Sequence, residues 1–384
     1  MKEETKIIQN ILSDPLTGSI STPIYQTSTF VQKSPGVHKG FDYTRTNNPT
    51  RKILEDLITN LEYGYSSLAF SSGLAAIDSI FKILKYGDEI IAVDDIYGGT
   101  FRLLHLYKEL GIQIKFVDTT DIHKIISSIS VKTKLIWLES PTNPTLKISD
   151  IKEISKKSKK INQDILLVVD NTFASPVIQN PLQLGSDIVI HSATKYLSGH
   201  SDVLAGLVTV KHKKLYENLK YIQNATGGVL SPMDSWLVIR GIQTLFLRIK
   251  KQSHNAFQIA TFLDKKRSSI IDIVYYPGLS YHKNHLVALK QQRYFGGIVS
   301  FSLKNDSINA AKKIVESTKI FKLAESLGGT KSLICHPATM THKSIPSKIR
   351  ISSGIKDSLI RLSLGIENVS DLIKDLEDSF LQLK

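Results

Sequence analysis

Asp187-Ile188-Val189-Ile190-His191-Ser192-Ala193-Thr194-Lys195 is an apolar run that ends in small polar residues and an amine. Upstream, Ile165-Leu166-Leu167-Val168-Val169-Asp170-Asn171-Thr172 has the same form and ends in a carboxylate. Continuous apolar runs of this length read as strands buried on both faces. Four more such runs precede them, at Leu68–Phe70, Glu89–Val93, Gln113–Val117 and Lys134–Glu139, and helical stretches at Gly73–Lys85 and Ile151–Lys160 lie between. Strands alternating with helices predict an α/β fold with a mostly parallel sheet covered on both faces. Such sheets bind ligands outside the carboxyl ends of their strands. The residues just after each strand are therefore the functional candidates.

Working outward, residues 1–60 read as an irregular arm rich in Thr, Ser, Pro and Asn. A single long helical stretch follows the sheet at Gly241–Lys266. After Pro277-Gly278 come a strand at Gly297–Leu303, a helix near Ser307–Ser317 and an amphipathic end near Ser370–Leu383. The expected division is an arm over 1–60, an α/β domain over 61–243 and a smaller α+β domain over 244–384, packed without a flexible linker.

The 384 residues suffice for a sizeable core. With 41% hydrophobic and 22% charged residues the composition is that of a folded globular chain. The only cysteine, Cys335, excludes an internal disulfide framework and fits a reducing, cytoplasmic setting. No apolar run approaches a membrane helix, and the start Met1-Lys2-Glu3-Glu4-Thr5-Lys6 does not resemble a secretory signal. The net charge of +14 raises the possibility of nucleic-acid binding. However, the 40 lysines are scattered without interleaved aromatics, and only nine arginines occur. A solvated lysine-rich surface is the simpler reading, and a non-catalytic nucleic-acid-binding protein is the alternative it displaces.

Four strand-end signals carry chemistry. Ser71-Ser72-Gly73-Leu74 begins a helix, whose free N–H groups can hold a phosphate or simply accept a serine cap. Asp170 closes a buried strand and calls for a cation or a turn to cap. Lys195, flanked by the hydroxyls of Ser192 and Thr194, suits a Schiff-base amine, although the bare string also fits a capped turn. Asp95-Ile96-Tyr97-Gly98-Gly99 brings an aromatic ring to the same edge. Together these groups match one ligand: an aldehyde-bearing, phosphorylated, protonated aromatic ring, which is pyridoxal 5'-phosphate. Asp170 and Lys195 stand 25 residues apart, a spacing that suits adjacent strand–helix units.

With these residues in hand, the chain resembles the cystathionine-metabolising enzymes that use pyridoxal phosphate: cystathionine γ-synthase, γ-lyase and β-lyase, and the homoserine sulfhydrylases. The run Asp187–Ala205, with Gly199-His200-Ser201-Asp202, and Ser140-Pro141-Thr142-Asn143-Pro144 carry the resemblance, which extends from Pro23 to Glu367. It implies the fold-type-I, aspartate-aminotransferase-like architecture, with a seven-stranded, mostly parallel sheet and a smaller C-terminal domain. It implies that Lys195 binds the cofactor aldehyde and shuttles protons, that Asp170 pairs with the ring nitrogen, that Tyr97 stacks on the ring or assists the leaving group, and that Asn143 lies near the ring hydroxyl. Gly73, Leu74, Ser192 and Thr194 would hold the phosphate. Tyr43 and Arg45 would reach the phosphate of a neighbouring subunit, in a homotetramer built from dimers with shared sites. Arg361 and Ser326 would take the substrate α-carboxylate, and Arg102 a second acidic group.

Glu325 resembles the γ-type enzymes and could pair with the distal ammonium of cystathionine or cysteine. Thr341 lies in His336-Pro337-Ala338-Thr339-Met340-Thr341-His342, a tract also seen in γ-synthases and γ-lyases. One departure is Lys331, where the family usually has Glu near the substrate mouth. The expected reaction is γ-replacement of an O-succinyl- or O-acetylhomoserine by cysteine to give cystathionine. Cystathionine γ-lyase is the alternative, followed by β-lyase and O-acetylhomoserine sulfhydrylase. No metal centre is expected: no His-Glu-x-x-His occurs, and His282 and His285 fall in a surface loop. Cys335 beside His336 reads as a buried structural thiol.

Overall fold

The computed structural model describes residues 2–11, 13–343 and 345–383; Met1, Leu12, Ser344 and Lys384 lie outside them. Among the described residues a seven-stranded sheet is formed by β1 (Ser66–Phe70), β2 (Glu89–Val93), β3 (Gln113–Val117), β4 (Thr133–Glu139), β5 (Leu166–Asp170), β6 (Ile188–Ser192) and β7 (Gly206–Val210), in the order β1-β7-β6-β5-β4-β2-β3. The pairs from β3 across to β6 are parallel, while β7 runs antiparallel to both β6 and β1. The mostly parallel sheet and the fold class are therefore as expected. Leu167, Val168 and Val169 are fully buried, as a central strand with helices on both faces requires.

Several elements depart from the sequence reading. Strand β7 has no counterpart in it, because Gly206 opens the run and glycine is a poor strand former. The expected irregular arm gives way at Pro49 to a helix, Pro49–Glu62, capped by Asn48, whose side chain accepts from Thr50 N and Arg51 N. The stretch Gly241–Lys266 is two helices, Pro232–Ile242 and Leu245–Lys265, that meet at Gln243-Thr244. Arg248 accounts for this break: the buried guanidinium donates to the carbonyls of Gly241 (2.7 Å) and Tyr196 (2.8 Å), tying it to the loop after Lys195.

Beyond it, β8 (Ile271–Tyr275), β9 (Ile298–Leu303), β10 (Lys322–Leu323), β11 (Leu333–Cys335) and β12 (Ile360–Ser363) form a five-stranded sheet ordered β10-β11-β12-β9-β8. The sequence reading found only β9 of these. The helix Val369–Phe380 and the C-terminal part of Leu245–Lys265 cover this sheet, with Phe301 and Phe380 edge to face at 6.1 Å.

One contact couples sheet and site. Gly206 sits where β7 passes the N-cap of the helix Gly73–Phe81, and a Cβ there would stand 2.1 Å from the Ser72 carbonyl oxygen. Gly206→Ala is expected to lower the unfolding free energy by about 1–3 kcal/mol in urea titrations; unchanged stability would show that β7 can yield at this point.

Candidate active site

The carboxyl ends of β1, β4, β5 and β6 open into one cavity of about 460 Å³, within the range of small-molecule sites. Every site residue named from the sequence lines it except Tyr43 and Arg45. Those two belong to the arm: Tyr43 is exposed, and Arg45 donates to Asn224 O (2.8 Å) with its guanidinium over the Tyr43 ring. Buried Arg51 holds the arm by donating to Thr44 O at 2.7 Å. Lys331 is exposed and is not part of the cavity wall, which corrects its expected place at the substrate mouth. The two histidines expected in a surface loop are both partly buried and tied to backbone, His282 to Leu146 O and His285, which opens the helix His285–Gln291, to Pro277 O. Cys335 is buried on β11 opposite Arg361.

Lys195 follows β6 directly, and its Nζ donates to Ser326 Oγ at 2.8 Å. Burial, helped by the Arg361 guanidinium, depresses its pKa to about 8. Ser326 has φ 93°, a left-handed backbone that serine adopts only under constraint. That conformation presents its hydroxyl to Lys195 and its carbonyl to Arg361 Nη2 at 2.9 Å. The Arg361 Nη1 donates to Asn143 Oδ1 at 2.9 Å, while its Nε is buried without a partner. The Asn143 carbonyl in turn meets His342 Nε2 at 3.1 Å, and Thr341 Oγ1 bonds the other ring nitrogen at 2.8 Å. Burial holds His342 down at about 4, so its ring is neutral at physiological pH.

At the other end, Gly73 begins a helix whose N-cap, Ser72, accepts from Ala75 N at 3.1 Å. The first N–H groups of a helix have no partner within it. A Cβ on Gly73 would lie 3.0 Å from the Ser192 Cβ, so glycine lets the helix start close against the end of β6 without crowding it. The Thr194 hydroxyl accepts from Ala205 N at 3.0 Å, fixing the next turn. Helix N–H groups and two hydroxyls form a cup suited to a phosphate.

Asp170 ends β5, with Oδ1 accepting from Thr172 N at 2.9 Å; burial pushes its pKa up. Tyr97 precedes the helix Gly98–Glu109, and Gly99 leaves room for its ring, since a Cβ there would meet Cε1 at 2.4 Å. Burial also raises the Tyr97 phenol, so it keeps its proton at neutral pH. Two residues escaped the sequence reading. Glu139, at the end of β4, lines the cavity and accepts the Tyr97 N–H with both oxygens, at 3.0 and 3.1 Å. Arg248 stitches the loop after Lys195 and was signalled only by the scarcity of arginine.

A pKa-depressed lysine, a carboxylate short of a cation and a phosphate cup in one cavity define a pyridoxal-phosphate site, and an arginine with an unused donor adds a place for an amino-acid carboxylate. A family model for Cys/Met metabolism PLP-dependent enzymes matches residues 4–381, and the chain belongs to this family. It is 50% identical to a cystathionine beta-lyase of Coxiella burnetii over 95% of this chain and 94% of the relative. It is 47% identical to a cystathionine gamma-lyase of Bacillus subtilis over 98% of each. Among solved structures, cystathionine gamma-lyase from Lactobacillus plantarum, complexed with L-serine, superposes with a TM-score of 0.95 at 45% identity, covering 100% of this chain and 99% of the other. The cofactor of this chain is accordingly pyridoxal phosphate.

Because burial lowers Lys195 from 10.5 to about 8, its amine is free at much lower pH than an ordinary lysine. In cofactor-free protein the rate of pyridoxal phosphate capture is expected to rise as pH increases through about 8. A midpoint near 10, read by stopped-flow absorbance, would contradict this.

Proposed function

We propose that this enzyme cleaves the Cγ–S bond of cystathionine with water, giving cysteine, 2-oxobutanoate and ammonia. The observation behind this reading is the charge pattern of the cavity. Arg361 shares Ser326 with Lys195, and Glu325 and Arg102, an anion and a further cation, line the same cavity. A substrate with an amino acid at each end offers a carboxylate to Arg361 and a distal ammonium and carboxylate to Glu325 and Arg102. Cystathionine is such a molecule, and it carries both ends in one substrate, whereas synthesis brings the distal ammonium and carboxylate separately, on cysteine. The lyase names of the relatives at 50% and 47% identity add weight to cleavage over synthesis.

Bound pyridoxal phosphate supplies an electron sink for negative charge developing on the substrate. Gly73, Leu74, Ser192 and Thr194 would hold its phosphate, and Asp170 its ring nitrogen. Lys195, neutral in a large fraction of molecules near pH 8, takes the proton from Cα, would pass it to the electron sink that the bound cofactor supplies, and, neutral again, takes the proton from Cβ. Ser326 fixes the amine for both transfers through its 2.8 Å hydrogen bond. Arg361, held in place by Asn143 and Ser326, orients the α-carboxylate so that Cα–H faces that amine. Tyr97 retains a phenolic proton that can pass to the departing sulfur. Tyr43 and Arg45, exposed on the arm, would complete the phosphate site of a neighbouring subunit.

The γ-replacement expected from the sequence is the second reading, favoured by Arg102, which could also take the acidic acyl group of O-succinylhomoserine. Product analysis separates the alternatives. Cystathionine alone should yield cysteine and 2-oxobutanoate, and Glu325→Ala should raise KM for it several-fold with little change in kcat. Pyruvate and homocysteine would place cleavage at Cβ. Turnover of O-acylhomoserine with cysteine, but not of cystathionine, would establish synthesis instead.

A further inference from the structure

Glu139 is the fully enclosed acid at the site to which the reaction assigns no work. It is 4% exposed, it lies directly across from Asp170 in the parallel register of β4 and β5, and its side chain therefore leaves the same face of the sheet. Its two oxygens both accept the Tyr97 backbone N–H, and Trp137 Nε1 approaches Oε1 at 3.5 Å. The charges that act on it are carboxylates, Asp170 first and Asp95 after it. Two carboxyls side by side, one of them buried, oppose each other's ionisation. The asymmetry of the pair is visible in their partners. Asp170 accepts from the Thr172 backbone N–H at 2.9 Å and feels the positive side of His191, whereas burial and Asp170 itself drive Glu139 well above the usual carboxylate range.

We propose that Glu139 is a positioning residue that stays a neutral carboxylic acid, anchoring the backbone of Tyr97 against the cofactor site while leaving the negative charge of the strand-end pair on Asp170. The anchor matters because Tyr97 sits in the turn between β2 and the helix Gly98–Glu109, where its own side chain makes no cap bond to the helix. The Tyr97 N–H is the donor that Glu139 engages, so the ring's place depends on a residue on a different strand. Neutrality matters because a second anion would compete with Asp170 for the ring proton of the cofactor. The inference concerns cofactor holding alone and is the same for Cβ–S or Cγ–S cleavage, so its failure is separable from that of the proposed reaction.

The test compares Glu139→Gln and Glu139→Ala as holoenzymes. The readouts are circular dichroism in the cofactor absorption band and the dissociation constant for pyridoxal phosphate. Glutamine keeps a neutral acceptor for Tyr97, and its cofactor band and affinity should match the parent within about twofold. Alanine leaves the part-buried Tyr97 N–H without its acceptor and should weaken cofactor binding by about tenfold, with a changed dichroic band. If alanine prevents folding, Glu139→Asp, whose carboxyl is one carbon short of Tyr97, is read in its place with the same expectation. A glutamine variant as impaired as alanine would overturn the proposal by showing that the charge is needed. An alanine or aspartate variant with the parent's band and affinity would overturn it by showing that the anchor is not.

Discussion

Asp170 and Lys195 are held at the ends of neighbouring β5 and β6 in a cavity where neither finds the other as a partner. The strands behind them are fully buried, so both charges pay the cost of leaving water. Burial raises the acid and lowers the amine, and each shift makes the group better suited to a ligand than to the empty protein. An aromatic cation answers the first and an aldehyde the second. The rest of the site serves this pair. Ser326 in its left-handed backbone aims Lys195, Gly73 brings the helix N-terminus up to β6, and Arg248 stitches the loop that follows the lysine.

The central strands and the residues that follow them were legible because their signals are local. Glu89–Val93 and Gln113–Val117 are strands over the very residues the apolar pattern marks, and Asp170 and Ser192 are themselves the last residues of β5 and β6. Thirteen positions named from strand ends and from the family resemblance converge on one cavity although they are spread from Gly73 to Arg361. Parallel connectivity explains this for the positions of the seven-stranded sheet, since it returns those strand ends to one edge, while Glu325, Ser326, Thr341 and Arg361 are brought to the cavity by the C-terminal part of the chain.

What escaped depends on contacts that no window of sequence contains. Glu139 reads as the last residue of an ordinary strand until Tyr97, 42 positions earlier, is seen to donate to it. Arg248 lies in an amphipathic helical pattern, and only the fold brings its guanidinium to Gly241 and Tyr196. The two-residue strand β10 and the three-residue β11 are too short to show a period, and they exist through pairing with β12. Lys331 erred in the opposite direction: its sequence neighbour Ser332 is turned inward onto Glu367, with Ser332 Oγ donating at 2.8 Å, while the lysine itself faces solvent.

The account stands on Lys195 being the amine that meets the cofactor. Borohydride reduction of the holoenzyme, followed by proteolysis and mass spectrometry, reads this directly. The account predicts a single stable pyridoxyl group on the peptide carrying Lys195. A label on any other of the 40 lysines, or none on cofactor-saturated protein, would contradict it.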